Sequence, residues 1–195
     1  LVPTFKEIEI DFIHQFNGEK SLPFTGSALI DINNDGVDEL FLGGGYDQQD
    51  ELFGFVDGGF VRISDKVNLP KKESLTTFGG ASSDFDQNGF VDLVVSREDG
   101  LTIYYNQDGK FTPKKIAYEV ASNATPMGIG LGDIDKDGFI DIFIANYIKK
   151  DQMVGQNNFS KTYGPISVLL MNNGDGTFKD FTKESGLEYV HNTFM

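Results

Sequence analysis

Three short apolar runs punctuate the chain at intervals of about fifty residues: Leu40-Phe41-Leu42, Leu93-Val94-Val95 and Ile142-Phe143-Ile144. None alternates with polar residues, so each reads as a strand covered on both faces. Small residues precede each run, at Gly26-Ser27-Ala28, Gly79-Gly80-Ala81 and Gly128-Ile129-Gly130. They predict a first strand suited to a crowded position near an axis. Third strands are expected over residues 52–55, 101–105 and 168–171. Each then meets a glycine hairpin turn: Asp57-Gly58-Gly59, Asp108-Gly109, and Asn172-Asn173-Gly174-Asp175-Gly176. Phe60, Phe111 and Phe178 open the fourth strands, and no stretch shows a helical period.

Four-stranded repeats of this length are the signature of propeller blades. The expected fold is therefore all-β, a β-propeller with blades of four antiparallel strands at residues 24–65, 77–116 and 126–183. Propellers close with typically four to eight blades, seven among them. Three blades are thus expected to be the N-terminal part of a larger ring. Residues 5–12 (Phe5-Lys6-Glu7-Ile8-Glu9-Ile10 and the two that follow) resemble a lone outer strand, reserved for the closing blade. Met195 stands where Phe78 and Met127 stand, ahead of a loop aspartate, as if another blade were about to begin.

A loop rich in carboxylates lies ahead of each apolar run. The third reads Asp133-Ile134-Asp135-Lys136-Asp137-Gly138-Phe139-Ile140-Asp141, with acids at its first, third, fifth and ninth positions and glycine at its sixth. Hard oxygen ligands at that spacing, with a glycine for the sharp turn and a backbone carbonyl from the seventh residue, suit Ca²⁺. An EF-hand would need a glutamate at position twelve and a following helix. Ile144 stands there, inside an apolar strand.

Aspartate and asparagine also populate ordinary turns, because their side chains bond nearby backbone N–H groups. Repetition argues for a metal. Asp31, Asn33, Asp35, the Val37 carbonyl and Glu39 form the first set. Asp84, Asp86, Asn88, the Phe90 carbonyl and Asp92 form the second. Asp133, Asp135, Asp137, the Phe139 carbonyl and Asp141 form the third, for up to three Ca²⁺ ions. Charge count ranks the third loop first, with four carboxylates against three in each of the others.

With these residues in view the repeats resemble FG-GAP/VCBS repeats, the calcium-loop blades also found in the integrin α-chain propeller. Phe78-Gly79 and the three loops carry the likeness. The third repeat is similar to cartilage acidic protein-like (ASPIC/UnbV-associated) proteins through Met127-Gly128, Gly132-Asp133-Ile134-Asp135-Lys136-Asp137-Gly138, Ala145-Asn146-Tyr147 and Asn172-Asn173-Gly174-Asp175-Gly176-Thr177-Phe178. Departures are the missing Gly-Ala-Pro element, Asn33 and Asn88 in place of aspartate, and Glu39 in place of aspartate. The resemblance implies an extracellular, periplasmic or cell-surface binding or adhesion propeller with Ca²⁺ as a structural metal.

Bulk composition narrows the partners. A net charge of −14 argues against nucleic acid, and no apolar run reaches the length of a membrane span. His14 and His191 are the two histidines and lack any zinc-site pattern. No nucleophile elbow or phosphate loop is present. The long connection at residues 147–167 follows a second strand, so it belongs to the face opposite the acidic loops. A protein or carbohydrate ligand is expected there, and further blades in cis or another copy of the chain are the expected structural partners. The alternative is a propeller-scaffold enzyme of polysaccharide lyase or hydrolase type, with catalytic groups outside this chain.

Overall fold

Three sheets of four antiparallel strands make up the computed structural model, which describes residues 4–16, 18, 22–71, 74–153 and 164–187. The first holds β1 (Ser27–Ile30), β2 (Glu39–Leu42), β3 (Glu51–Val56) and β4 (Gly59–Arg62). The second holds β5 (Gly79–Ser83), β6 (Asp92–Arg97), β7 (Gly100–Asn106) and β8 (Phe111–Lys115). The third holds β9 (Ala124–Gly132), β10 (Asp141–Ile148), β11 (Val168–Asn172) and β12 (Phe178–Asp180). Each sheet runs up and down in sequence order, the pattern of propeller blades. Residues 154–163 of the long connection, His191 and Met195 lie outside the described residues.

The apolar runs fill the seams between sheets. Ile30, Phe41 and Leu52 of the first sheet pack with Leu93, Val95 and Tyr104 of the second. Val94, Leu101 and Ile103 on the second sheet's other face pack with Ile142, Ile144 and Leu170 of the third. Hence β6 is buried throughout. Leu40 and Leu42 in β2 are only half-buried, because no sheet among the described residues stacks on that face of the first blade.

Innermost strands meet backbone to backbone. A Cβ added at Gly26 would lie 2.8 Å from the Gly79 backbone, and one at Gly79 would lie 2.1 Å from the Met127 carbonyl oxygen. Neither position has room for a side chain, which explains the small residues at the blade starts. The Ser82 hydroxyl donates to the Leu29 carbonyl at 2.7 Å and ties β5 to β1.

Residues 5–12 form no strand here. The segment alternates like one: Ile10, Phe12 and His14 are half-buried while Glu9, Asp11 and Ile13 face solvent. It docks through side chains instead of a backbone ladder. The Phe12 and Phe53 rings meet edge to face at 6.5 Å, and the Arg62 guanidinium donates to the Asp11 carbonyl at 2.7 Å. The Gln48 amide donates to the Ile13 carbonyl at 2.9 Å and accepts the Gln15 N–H at 2.7 Å. No sheet edge among the described residues pairs with the segment, so its place in a closing blade stays a proposal.

Candidate metal centres

Each acidic loop joins the first two strands of its sheet, so all three share one face of the assembly. The local fold depends on two left-handed residues. Asn34, Gln87 and Lys136 at the fourth position have φ of 57°, 57° and 65°. The sixth-position glycines, Gly36, Gly89 and Gly138, have φ of 83°, 88° and 98°. A Cβ at Gly36 or Gly89 would touch nothing within 4 Å, so glycine answers to backbone conformation alone there.

First-position carboxylates accept from the turn they begin. Asp31 takes the N–H groups of Asp35 at 3.1 Å and Gly36 at 2.9 Å. Asp84 takes those of Asn88 at 3.1 Å and Gly89 at 2.9 Å. Asp133 takes the Gly138 N–H at 3.1 Å. Fifth-position side chains close the loops by accepting the N–H of the seventh residue, each at 2.8 Å: Asp35 from Val37, Asn88 from Phe90 and Asp137 from Phe139.

The result is two carboxylate clusters. Oxygens of Asp84, Asp86 and Asp92 lie within 4.8 Å of one another, as do those of Asp133, Asp135 and Asp141. Asn88 and Asp137 stand beside these groups as the fifth residues of their loops. In the first loop Asp31, Asp35 and Glu39 form no such cluster. Asn33 contributes an amide there, bonded to Asp35 at 3.0 Å. Glu39 reaches back to accept the Ile32 N–H at 3.0 Å.

Ninth-position carboxylates are buried, while the other acidic side chains of their loops are half-buried, as Asp31 and Asp84 are, or exposed. Asp92 accepts the N–H groups of Phe85 at 2.9 Å and Asn106 at 2.7 Å. Burial nonetheless pushes its carboxyl up to about 7, and the neighbouring Asp86 and Asp84 add to the rise. Glu39 is raised as well, first by burial and then by Asp35 and Asp31. Asp141 repeats the arrangement of Asp92, accepting Ile134 N–H at 2.8 Å and Asn172 N–H at 2.9 Å. Oxygen donors converging in this way are a fit for a hard cation.

Asn106 and Asn172 close β7 and β11; the sequence pattern gives Asn106 no role and reads Asn172 only as the start of a hairpin turn within the family-like stretch. Each presents its backbone N–H to a ninth-position carboxylate of its own blade. Each also sends its side-chain amide into the loop of the preceding blade, to the Ile32 carbonyl at 2.8 Å and the Phe85 carbonyl at 3.0 Å. The available signal was an asparagine ending the third strand, just before a glycine hairpin, in two repeats.

Residues 84–144, which hold both clusters and the β-structure between them, match the model of the FG-GAP-like repeat. The chain carries an FG-GAP-like repeat. It is also similar to integrin alpha-8 of Gallus gallus, at 24% identity over 176 residues and 75% of this chain. Integrin alpha-8 of Mus musculus is 21% identical over 178 residues, 76% of this chain. The chain spans 17% of the length of each of these relatives. Among the described residues no helix is long and apolar enough to cross a membrane.

Proposed function

We propose that this chain is a calcium-stabilised binding or adhesion module of the extracellular, periplasmic or cell-surface space. Ca²⁺ is held by the three acidic loops. The ligand, a protein or a carbohydrate, docks on the opposite face, and further blades in cis or another copy cover the open sheet faces. The observation that carries the reading is the pair of aspartate clusters inside the stretch that matches the FG-GAP-like repeat. Asp84, Asp86 and Asp92 would hold one ion and Asp133, Asp135 and Asp141 another, each supplemented by the fifth residue and the seventh carbonyl. The first loop, through Asp31, Asn33, Asp35, Val37 and Glu39, would hold a third.

Similarity to integrin alpha-8 supports an exported setting. Extracellular calcium modules work with dissociation constants of about 10⁻⁴–10⁻³ M, which suits loops exposed on one side.

The test is thermal unfolding with and without EDTA. An ion bound only by the native state adds about 2.7 kcal/mol at a hundredfold excess over its dissociation constant. For a chain of this size that raises the midpoint by roughly 5–10 °C. Mg²⁺ should substitute poorly, because it gives up its waters reluctantly. An unchanged midpoint at millimolar Ca²⁺ would overturn the metal reading.

A further inference from the structure

The ninth-position carboxylates of the three loops are joined by one line of hydrogen bonds. Asp141 accepts the Asn172 N–H at 2.9 Å, and the Asn172 amide donates to the Phe85 carbonyl at 3.0 Å. The Phe85 N–H donates to Asp92 at 2.9 Å, and Asp92 accepts the Asn106 N–H at 2.7 Å. The Asn106 amide then donates to the Ile32 carbonyl at 2.8 Å, and the Ile32 N–H reaches Glu39 at 3.0 Å. All seven residues are buried, so water offers no substitute partner along the line. Shorter cross-links run beside it at the surface: Asn34 donates to the Gly89 carbonyl at 2.8 Å and Gln87 to the Gly138 carbonyl at 2.9 Å.

We infer that Asn106 and Asn172 are positioning residues that couple neighbouring metal sites, so that filling one loop raises the affinity of the next. The inference rests on the calcium reading above. An ion that fixes Asp92 also fixes the backbone N–H groups of Asn106 and Phe85 that the carboxylate accepts. Fixing Asn106 holds the Ile32 peptide, whose N–H orients Glu39 in the first loop. Ordering done by the first ion need not be repeated by the second, which gives positive coupling without a large movement.

The first loop depends most on this line. Its own third strand, β3, ends at Val56 in the two-residue turn of Asp57 and Gly58, whose φ values are 51° and 82°. No asparagine stands there to brace Glu39 from within its own blade. Its brace comes from the second blade, through Asn106.

Two-dimensional amide NMR of the chain during titration with CaCl₂ tests this, following Gly36, Gly89 and Gly138 as one reporter per loop. With loop two disabled by Asp84→Asn and Asp86→Asn, the affinity of loop one should fall about fivefold or more. Linkage requires an equal factor in the reverse direction, so disabling loop one must weaken loop two alike. Asn106→Ala should weaken loop one, leave loop three close to its parent value, and sharply reduce the dependence of loop one on the state of loop two, with the Asn34–Gly89 cross-link the remaining connection. The loop-two variants retain Asn106, so they decide the question even where Asn106→Ala does not fold. Glycine signals that respond to Ca²⁺ with each loop's affinity independent of the others overturn the coupling and leave the metal reading standing. Glycine signals that do not respond at all overturn both.

Discussion

The Arg97 guanidinium lies 2.6 Å from the Asp50 carboxylate, and the two side chains are only 5% and 2% exposed. Asp50 precedes β3 in the first blade and Arg97 ends β6 in the second, at the end of the seam away from the acidic loops. Thr77 accepts from Arg97 Nε at 3.0 Å and donates to Asp50 at 3.1 Å, while the Tyr104 hydroxyl takes another guanidinium hydrogen at 2.8 Å. The Gly44 N–H fills the other Asp50 oxygen at 2.6 Å. The seam between these blades is therefore clamped at both ends, by Asn106 beside the loops and by Arg97 opposite.

Removing one partner leaves the other charge buried without its counter-ion, which costs about 3–5 kcal/mol. Arg97→Ala and Asp50→Ala should each lower the unfolding free energy obtained from urea melts by an amount of that order. The double variant should lose clearly less than the two singles together, since it strands no charge. Additive losses would show that the pair contributes packing alone.

A second prediction concerns the sixth-position glycines. Gly89 has φ of 88° with empty space where a Cβ would point, so substitution there tests conformation and nothing steric. Gly89→Ala should cost roughly 1–2 kcal/mol through left-handed strain. Gly89→Asn should recover part of that, because asparagine tolerates such backbone more readily. Equal stability of both variants and the parent would mean the loop relaxes out of this turn when calcium is absent, which melting in EDTA and in calcium would separate.

Those glycines were legible in the sequence, as were the twelve strands, because both depend on local rules. An apolar run without alternation must be covered on two faces, and a glycine between acids must turn. Asn106, Asn172 and the Arg97–Asp50 pair were not legible, because their partners lie in another repeat and only the stacking of blades brings them together. Asparagine before a hairpin glycine looks like turn chemistry, and it also serves that purpose here, accepting the Gly109 N–H at 2.9 Å. The sequence pattern treated the ninth carboxylate as a ligand and gave no hint that it also holds two backbone N–H groups. Residues 5–12 read as a strand because alternation is visible in one dimension, whereas a pairing partner is not.

Glu98 gives a pH prediction away from the loops. One of its oxygens is buried with no hydrogen-bond partner, and burial raises its carboxyl above the ordinary glutamate range. A carboxyl raised in the native state binds its proton more tightly there than in the unfolded chain. Its contribution to stability is thus full below the unfolded value and lost as pH rises through the folded one. Glu98→Gln stays neutral throughout, so at pH 8 it should be more stable than the parent. The difference should shrink towards zero near pH 4. Melting curves for both proteins across that range check it, and a gap that is constant with pH would mean that Glu98 remains charged.

The last prediction ranks the metal sites. Loop three offers Asp133, Asp135, Asp137 and Asp141, and loop two offers Asp84, Asp86, Asn88 and Asp92. In both, three carboxylates converge within 4.8 Å, so their geometry is matched and charge is what differs. The fifth residues make the same bond, Asn88 to Phe90 N–H and Asp137 to Phe139 N–H, each at 2.8 Å. Asp137→Asn therefore removes one charge from loop three and leaves its turn intact. Loop one has no such convergence, and Glu39 must fold back a longer side chain at some cost in rotamer freedom. Under a graded chelator titration the loops should empty in the order one, two, three, as read from the Gly36, Gly89 and Gly138 amides. Asp137→Asn should weaken loop three about tenfold, equivalent to ~1.4 kcal/mol, and bring it level with loop two. Should loop three empty first, or keep its affinity in that variant, charge count does not set the order. Loop rigidity, the other determinant of calcium affinity, then does.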